Sequence, residues 1–339
     1  MNYIGSKVSL LDFIDKSIDE VINEEIKESP YNYVFADLFA GTNSVGDFYK
    51  EKGYNVIGND LQYYSYILGR HILENNTLLD EDKLIKLNEI EPVEGFIYNN
   101  YCKGSGSNRL YFSDYNGKKC DAIRLEIERL YRENLINEDE YYFYLASLIE
   151  SIDRYANTTS VYVSFLKKLK KSASKDFILK SFKQYPSNGN HKMYNKNAND
   201  LIKEIKGDIL YLDPPYNTRQ YSQYYHLLET IALYDYPDIK GVTGNRVIKD
   251  KNSKYSSKRY VLNEFEDLIK NADFKYIFVS YNNEGLMTLD EIKNIMNKYG
   301  EYEVKTKEHL RYKADSNRKY KDTKTYEYLH CLTKGDWYE

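Results

Sequence analysis

Asp213-Pro214-Pro215-Tyr216 brings a carboxylate, two residues without a backbone N–H and an aromatic ring into four consecutive positions. Adjacent prolines have fixed φ and nothing to donate, so the loop offers carbonyl oxygens on a stiff backbone. This set suits a planar ring that carries an exocyclic amine. Asp213 and the Pro214 carbonyl are acceptors for the amine's two hydrogens, Pro215 stiffens the turn, and Tyr216 offers a face on which the ring can stack. Taken alone, the tetrapeptide has a second reading, a strand-ending turn in which Asp213 bonds its own backbone. The surrounding elements decide between the two.

Ile209-Leu210-Tyr211-Leu212, introduced by Gly207-Asp208 and stopped by the prolines, predicts a buried strand whose carboxyl end opens into the loop. Open α/β sheets place their chemistry at that end. Far upstream, Val34 to Phe39 predicts a first buried strand, and Ala40-Gly41-Thr42-Asn43-Ser44-Val45-Gly46 a tight turn entering a helix. A second strand, Asn55-Val56-Ile57-Gly58, closes on Asn59-Asp60, which places an acid 19 residues after Gly41. Small residues let backbone approach a ligand, and an acid at the second strand's end accepts from ribose hydroxyls. The phosphate-binding spacing G-x-G-x-x-G and the triphosphate loop G-x-x-x-x-G-K-[ST] are both absent, which points to a nucleoside cofactor without a phosphate.

Before the first strand, apolar residues at helical spacing from Val8 to Ile26 predict one amphipathic helix that ends near Ser29-Pro30. Residues 62–195 then separate the two halves of the sheet by far more than a crossover needs, so this stretch is an insertion. Within it, Lys103 to Arg109 reads as a flexible basic loop and Asn116-Gly117 as a turn. Helical patterns follow at 121–134, 138–155 and 160–171. The expected division is a catalytic domain of 1–61 and 196–339 around a mostly helical insert of 62–195. After the insert, Asn199-Asp200 leads a short helix into the Asp213 strand, and residues 224–234 are helical. The basic stretch 237–259 is expected to be a mobile loop facing substrate. Tyr276 to Ser280 predicts another buried strand, residues near 288–299 a helix, and Tyr326 to Leu332 closing strands.

The chain has 339 residues, 42% of them hydrophobic and 29% charged, which places it among soluble globular proteins. No stretch is apolar enough for a membrane span and the N-terminus lacks a leader's basic and apolar regions, so a cytoplasmic protein is expected. Cys102, Cys120 and Cys331 form neither a disulfide framework nor a metal-ligand spacing, and the five histidines are scattered, so no metal site is expected. The 38 tyrosines go with abundant Asn, Lys and Ile, as in an AT-rich genome, and are not counted as base-stacking platforms.

The net charge of −4 conceals an asymmetry: residues 167–196 carry +8, residues 240–260 carry +6 and residues 305–324 carry +5. Clustered positive charge on an otherwise acidic chain is what a polyanion-binding face needs, although lysine-rich helix faces are also commonly just solvated.

The ordered set Asn2-Tyr3-Ile4-Gly5-Ser6-Lys7, Asp37-Leu38-Phe39-Ala40-Gly41-Thr42 with Asp60, and Asp213-Pro214-Pro215-Tyr216 resembles the DNA adenine-specific (N6) methyltransferases of the Dam-like D12 class. The likeness covers nearly the whole chain. It is strongest to FokI-type restriction–modification methylases, on Asn217-Thr218-Arg219-Gln220-Tyr221, Tyr225-His226-Leu227-Leu228-Glu229-Thr230 and Leu148-Ile149-Glu150-Ser151-Ile152-Asp153.

The resemblance implies a Rossmann-like, doubly wound α/β sheet with a helical target-recognition domain inserted in it. It implies S-adenosyl-L-methionine held by Tyr3, Gly5, Ser6 and Lys7, by Asp37, Phe39, Ala40, Gly41, Thr42, Asn43, Ser44 and Val45, and by Asp60, Leu61 and Asp200. Helix capping or simple exposure is the other reading of Asp60 and Asp200. The family often has a second glycine where this chain has Asn43; Asn tolerates left-handed backbone, so the turn is expected to keep its shape.

The activity implied is transfer of a methyl group to the exocyclic N6 of an adenine flipped out of duplex DNA. Asp213 and the Pro214 carbonyl would orient the amine and Tyr216 would stack on the base. Lys167, Lys168, Lys170 and Lys171 are the expected phosphate contacts; Arg219 and Tyr221, just past the loop, are expected to touch DNA near the base. No Pro-Cys pair occurs, so the cysteine nucleophile typical of ring-carbon cytosine methylation is missing. A cognate restriction endonuclease is the expected partner. Three other readings stay open on the sequence: methylation of RNA adenine or of the cytosine amine, a non-catalytic DNA-binding module with a vestigial cofactor fold, and a nicotinamide-dependent oxidoreductase. The absent dinucleotide fingerprint disfavours the last.

Overall fold

The computed structural model describes residues 5–247, 252–310 and 324–335. Among these the strands are β1 (Val34–Asp37), β2 (Asn55–Asn59), β3 (Lys192–Tyr194), β4 (Lys206–Leu212), β5 (Ile239–Lys240), β6 (Asn245–Arg246), β7 (Asp273–Asn282), β8 (Gly300–Leu310) and β9 (Lys324–Lys334). Seven of them form one sheet in the order β3-β2-β1-β4-β7-β9-β8, while β5 and β6 pair as a separate hairpin. The five strands from β3 to β7 are parallel; β9 runs antiparallel to both β7 and β8. From β1 the chain steps to β2 and β3 on one side, then returns to lay β4 and β7 on the other. Strand order therefore reverses between β1 and β4, which is where a doubly wound sheet opens a crevice at its carboxyl edge. This is the Rossmann-like architecture that the motifs imply.

The sequence makes these strands by burying both faces. Alternate residues of a strand point to opposite sides. On one side Ala36, Leu38, Leu210, Leu212, Ile277 and Val279 pack with the helices Val261–Asn271 and Leu289–Met296. On the other, Phe35 stacks on Tyr49 of the helix Ser44–Glu51, with ring centroids 3.8 Å apart, and lies 6.4 Å from Tyr211. Continuous apolar runs such as Ile209 to Leu212 are the result.

Two compact units divide the described residues. One holds 5–6, 62–186 and 221–247; the other holds 7–61, 187–220, 252–310 and 324–335, and with them the whole seven-stranded sheet. The first is mostly helical, as expected of the insert. Its long helices Asp114–Arg132 and Glu138–Tyr155 surround a core that includes Ile123, Ile127, Phe143, Leu145 and Leu148, and Asn137 with Glu140 forms a reciprocal capping box at the second helix's start. The limits expected for the insert, 62–195, differ from this unit at three places, the first being residues 5–6, expected in the catalytic domain. Residues 187–195 go with the sheet because β3 pairs with β2, and 221–247 go with the helices because Leu227, Leu228 and Ile231 share their core.

Several local expectations change. The helical pattern at 160–171 is not a helix. Buried Asn157 takes over its backbone: Nδ2 donates to the carbonyls of Leu110 and Leu166, and Oδ1 accepts from the Lys170 amide. Side-chain bonding of this kind competes with helical hydrogen bonds. Asn116-Gly117 is not a turn but part of the first turns of helix Asp114–Arg132. Gly117 is needed there for close packing, since a Cβ would lie 2.2 Å from Cys102 Sγ.

The single helix expected from Val8 to Ile26 breaks into Leu11–Asp19 and Glu24–Glu28, with Asn23 in extended backbone and its side chain accepting from the Tyr276 hydroxyl at 2.8 Å. In the stretch expected to be a mobile loop, residues 239–246 form the β5–β6 hairpin and 254–256 a short 3-10 turn, while 248–251 lie outside the described residues. Most of the basic stretch 305–324 also lies outside them.

Candidate active site

The last four residues of β4 are buried, and the chain leaves the sheet at Asp213, beside the reversal of strand order. Two prolines stop the ladder there because neither can donate to it. Pro214 is buried, and the Tyr216 carbonyl accepts from the Leu286 amide at 3.1 Å, which ties the loop to the turn after β7. That turn is held in its own right. The Tyr281 hydroxyl accepts from the amides of Leu286 and Met287, and Gly285 lies so close that a Cβ would come within 2.1 Å of the Tyr281 ring.

The carboxylate of Asp213 is paired with Lys7: Nζ to Oδ1 is 3.1 Å, and the same ammonium reaches Glu327 Oε1 at 3.0 Å. Ser280 Oγ donates to that Glu327 oxygen at 2.7 Å. Sheet register explains the group. Ser280 of β7 pairs with Leu329 of β9 and Asn282 pairs with Glu327, so Ser280 and Glu327 are diagonal neighbours on one face. Lys7 is 6% exposed. Burial alone would lower its pKa, but the carboxylates of Asp213 and Glu327 outweigh it and hold the ammonium well above its ordinary value. For Asp213, burial is the largest influence and raises the carboxyl; Lys7 opposes it, Glu327 adds to it, and the result is about 6.

The turn after β1 is shaped by two residues in left-handed backbone and by the acid at the end of β2. Gly41 (φ 52°) and Asn43 (φ 61°) both take left-handed backbone, so Asn43 does keep the turn. The Gly41 amide donates to Asp60 Oδ2 at 2.8 Å, and Thr42 Oγ1 to Ser44 Oγ at 3.3 Å. Ala40 and Val45 are buried beneath, and Phe39 meets the Tyr255 ring edge-on at 5.1 Å. Asp37 is 2% exposed; burial, then the neighbouring Asp213 charge, raises its carboxyl well above the usual range. Asp37, Asp60 and Asp213 thus make an acidic group whose charges would be relieved by a cationic ligand.

Of the remaining candidates, Leu61 follows Asp60 and is half-buried, while Asp200 is exposed on the short helix Ala198–Leu201. Gly5 and Ser6 go with the helical unit, and Tyr3 lies outside the described residues.

Among the lysines expected at phosphates, Lys167, Lys168 and Lys171 are exposed, but Lys170 Nζ donates to the Thr158 carbonyl at 2.8 Å. Arg219 is exposed just past the loop, and its amide donates to Asn217 Oδ1. Tyr221, in the helical unit, stacks with Tyr225 and meets Tyr224 edge-on. The three cysteines are buried free thiols. Among the described residues no three His, Cys, Asp or Glu side chains gather as a metal would need, and no helix is long and apolar enough to cross a membrane.

Three groups of the site escape a reading of the sequence. Glu327 and Ser280 carry no motif, and only strand pairing brings them to Lys7. Asn59, next to Asp60, is a buried knot: Nδ2 donates to the carbonyls of Leu38 and Lys196, and Oδ1 accepts from the Lys196 amide. It joins the ends of β1, β2 and β3.

Residues 3–295 match the family model of the D12 class N6 adenine-specific DNA methyltransferases. The type II methyltransferase M.NlaIII of Neisseria lactamica is 49% identical across 98% of this chain and 99% of its own length. M.CviAII, from Paramecium bursaria Chlorella virus 1, is 33% identical across 96% and 97%. M.FokI of Planomicrobium okeanokoites is 40% identical across 98% of this chain, which matches 53% of that longer protein.

Proposed function

This chain belongs to the D12 class of N6 adenine-specific DNA methyltransferases, and we propose that Asp213 to Tyr216 is the site at which it holds the amine it methylates. The observation that carries this is the Asp213 carboxylate, at the switch point of the sheet and paired with Lys7. The substrate is adenine in DNA, and the methyl donor is of the S-adenosylmethionine type. The adenine amine is a poor nucleophile because its lone pair is shared with the ring, so the site must orient it and draw its electrons back to nitrogen.

Asp213 must be ionised to accept an amine hydrogen. With a pKa of about 6 it is largely so at neutral pH, and the Lys7 ammonium favours that state. The Pro214 carbonyl takes the second hydrogen, which fixes the direction of the nitrogen lone pair. Tyr216 stacks on the base, which has to leave the duplex to reach the loop. Asp213, as an ionised carboxylate, can also accept the proton that the amine gives up once it is alkylated.

S-adenosylmethionine, when bound, supplies a methyl group on a positively charged sulfur. The Asp37 to Val45 turn and Asp60 would hold it: the left-handed backbone at Gly41 and Asn43 leaves room for a nucleoside, and the carboxylates suit both ribose hydroxyls and a cation. The helical unit is assigned to target recognition, with Lys167, Lys168 and Lys171 on phosphates, while Arg219 of the sheet unit would lie near the flipped base. M.NlaIII and M.FokI are type II methyltransferases, and by that likeness this chain is read as the modification half of a restriction–modification system.

The test is transfer of labelled methyl from S-adenosylmethionine to unmethylated duplex DNA, followed by digestion to nucleosides. Labelled N6-methyldeoxyadenosine from the wild type, absent with Asp213→Ala, is the expected result. Label in a cytosine product, or only in RNA, would overturn it.

A further inference from the structure

Glu327 has no place in the motifs of the sequence, yet it shares one ammonium with the carboxylate of the amine-binding loop. Lys7 Nζ lies 3.1 Å from Asp213 and 3.0 Å from Glu327, and all three side chains are largely shielded, with 7%, 16% and 12% exposure. Ser280 Oγ fixes the Glu327 oxygen that faces Lys7. A long ammonium side chain in a dry site stays in one rotamer only if its charge is held from more than one direction. Asp213 alone would hold it from one direction, and Asp213 is the group that must turn towards substrate.

We propose that Glu327 is a positioning residue for methyl transfer: it anchors the Lys7 ammonium against β9 so that Lys7 fixes the orientation and ionisation of Asp213. The inference rests on the reading of Asp213 as the amine acceptor. Two carboxylates sharing one cation form a coupled set, in which Glu327's negative charge keeps the ammonium from acting wholly on Asp213. The midpoint of the loop carboxylate is thereby set by both neighbours, Lys7 favouring the ion and Glu327 opposing it.

The other ionisable groups around it are Tyr211 on β4, Tyr216 on its own loop, Asp37 at the end of β1 and Tyr281 on β7. Burial pushes Tyr211 and Tyr281 above the ordinary phenol range, so they do not titrate with Asp213. Asp37 is the one further carboxylate to control for.

The experiment compares wild type, Glu327→Gln, Lys7→Met and Asp37→Asn in the full chain. The Asp213 carboxyl is titrated by isotope-edited infrared spectroscopy, its band assigned by loss in Asp213→Asn, and kcat is followed against pH with N6-methyladenine as the product. Gln keeps the shape of Glu and an acceptor for Ser280 while removing the charge. Glu327→Gln should lower the Asp213 midpoint and Lys7→Met should raise it, each by about one pH unit, and Asp37→Asn should leave the difference between these two variants intact. The acid limb of kcat should move with the carboxyl. In Glu327→Gln, kcat should fall by roughly 10- to 100-fold while KM for S-adenosylmethionine and Kd for DNA stay within about two-fold.

A merely structural Glu327 would lower thermal stability and leave the midpoint unmoved, which would overturn the inference. So would shifts of the same sign in both charge variants. The infrared titration answers this even if the wild type makes no N6-methyladenine, and that failure would count against the assigned reaction alone.

Discussion

The Gly41 amide donates to Asp60 Oδ2 across 2.8 Å, joining the turn after β1 to the end of β2, 19 residues away. One carboxylate therefore shapes the turn, and in the proposed site it would also accept from the cofactor's sugar. Asp60→Ala removes both. It should weaken S-adenosylmethionine binding by at least about ten-fold, as one lost charge-assisted hydrogen bond of roughly 1.5 kcal/mol implies, while DNA affinity stays unchanged. Calorimetric titration with the cofactor measures the first, and a DNA shift assay the second. Unaltered cofactor affinity would remove Asp60 from the site.

Asp213 should trade stability for activity. Its folded pKa, about 6, lies above the ordinary 3.8, so the fold favours the protonated form. Stability is therefore lost as pH rises from about 4 to about 6, and the cost persists above that window. Asp213→Asn, which cannot ionise, should have a Tm at pH 7.5 no lower than wild type, with methyl transfer reduced at least about 100-fold. Thermal melts at pH 4.5 and 7.5 test the sign. A variant that melts well below wild type at pH 7.5 would contradict it.

Gly285→Ala should reach the active loop from outside it. The added Cβ would meet the Tyr281 ring at 2.1 Å, and that ring cannot swing away without its hydroxyl leaving the Leu286 and Met287 amides. Leu286 in turn holds the Tyr216 carbonyl. The expected cost is about 1–3 kcal/mol by denaturant unfolding, together with a fall in kcat larger than any change in cofactor KM. Wild-type stability would show that the turn yields freely.

The lysines of 167–171 should separate into two kinds. Lys170 is engaged with the Thr158 carbonyl, and Lys170→Met removes that bond, so it should reduce stability and leave the salt dependence of DNA binding alone. Substituting Lys167, Lys168 and Lys171 by Gln should flatten the plot of log K against log salt by about 0.9 for each phosphate that is no longer neutralised. Binding titrations between low and physiological salt decide the matter. An unchanged slope for the triple variant would take these residues out of the DNA interface.

Local signals along the chain were enough to specify the β1–turn–β2 unit, the β4 strand with its Asp213 loop, and the family. Buried strands are short apolar runs, left-handed turns need Gly or Asn, and the motif residues stand next to one another. Asn43 at φ 61° and the buried strands Val34–Asp37 and Lys206–Leu212 follow from such windows.

What Lys7 does is a property of the folded chain and not of any window in it. Its ammonium is claimed by Asp213 and by Glu327, 320 residues further on, because antiparallel pairing of β9 with β7 sets Glu327 diagonal to Ser280. No periodicity encodes that pairing. Tertiary contacts also overrode two local patterns. The buried Asn157 side chain withdrew the backbone of 160–171 from a helix, and the approach of Cys102 made Gly117 a packing glycine rather than a turn residue. The physical reason is the same in each case: a buried polar group or a close contact must be satisfied by whatever the fold brings to it, and this outweighs the propensity of the few residues on either side.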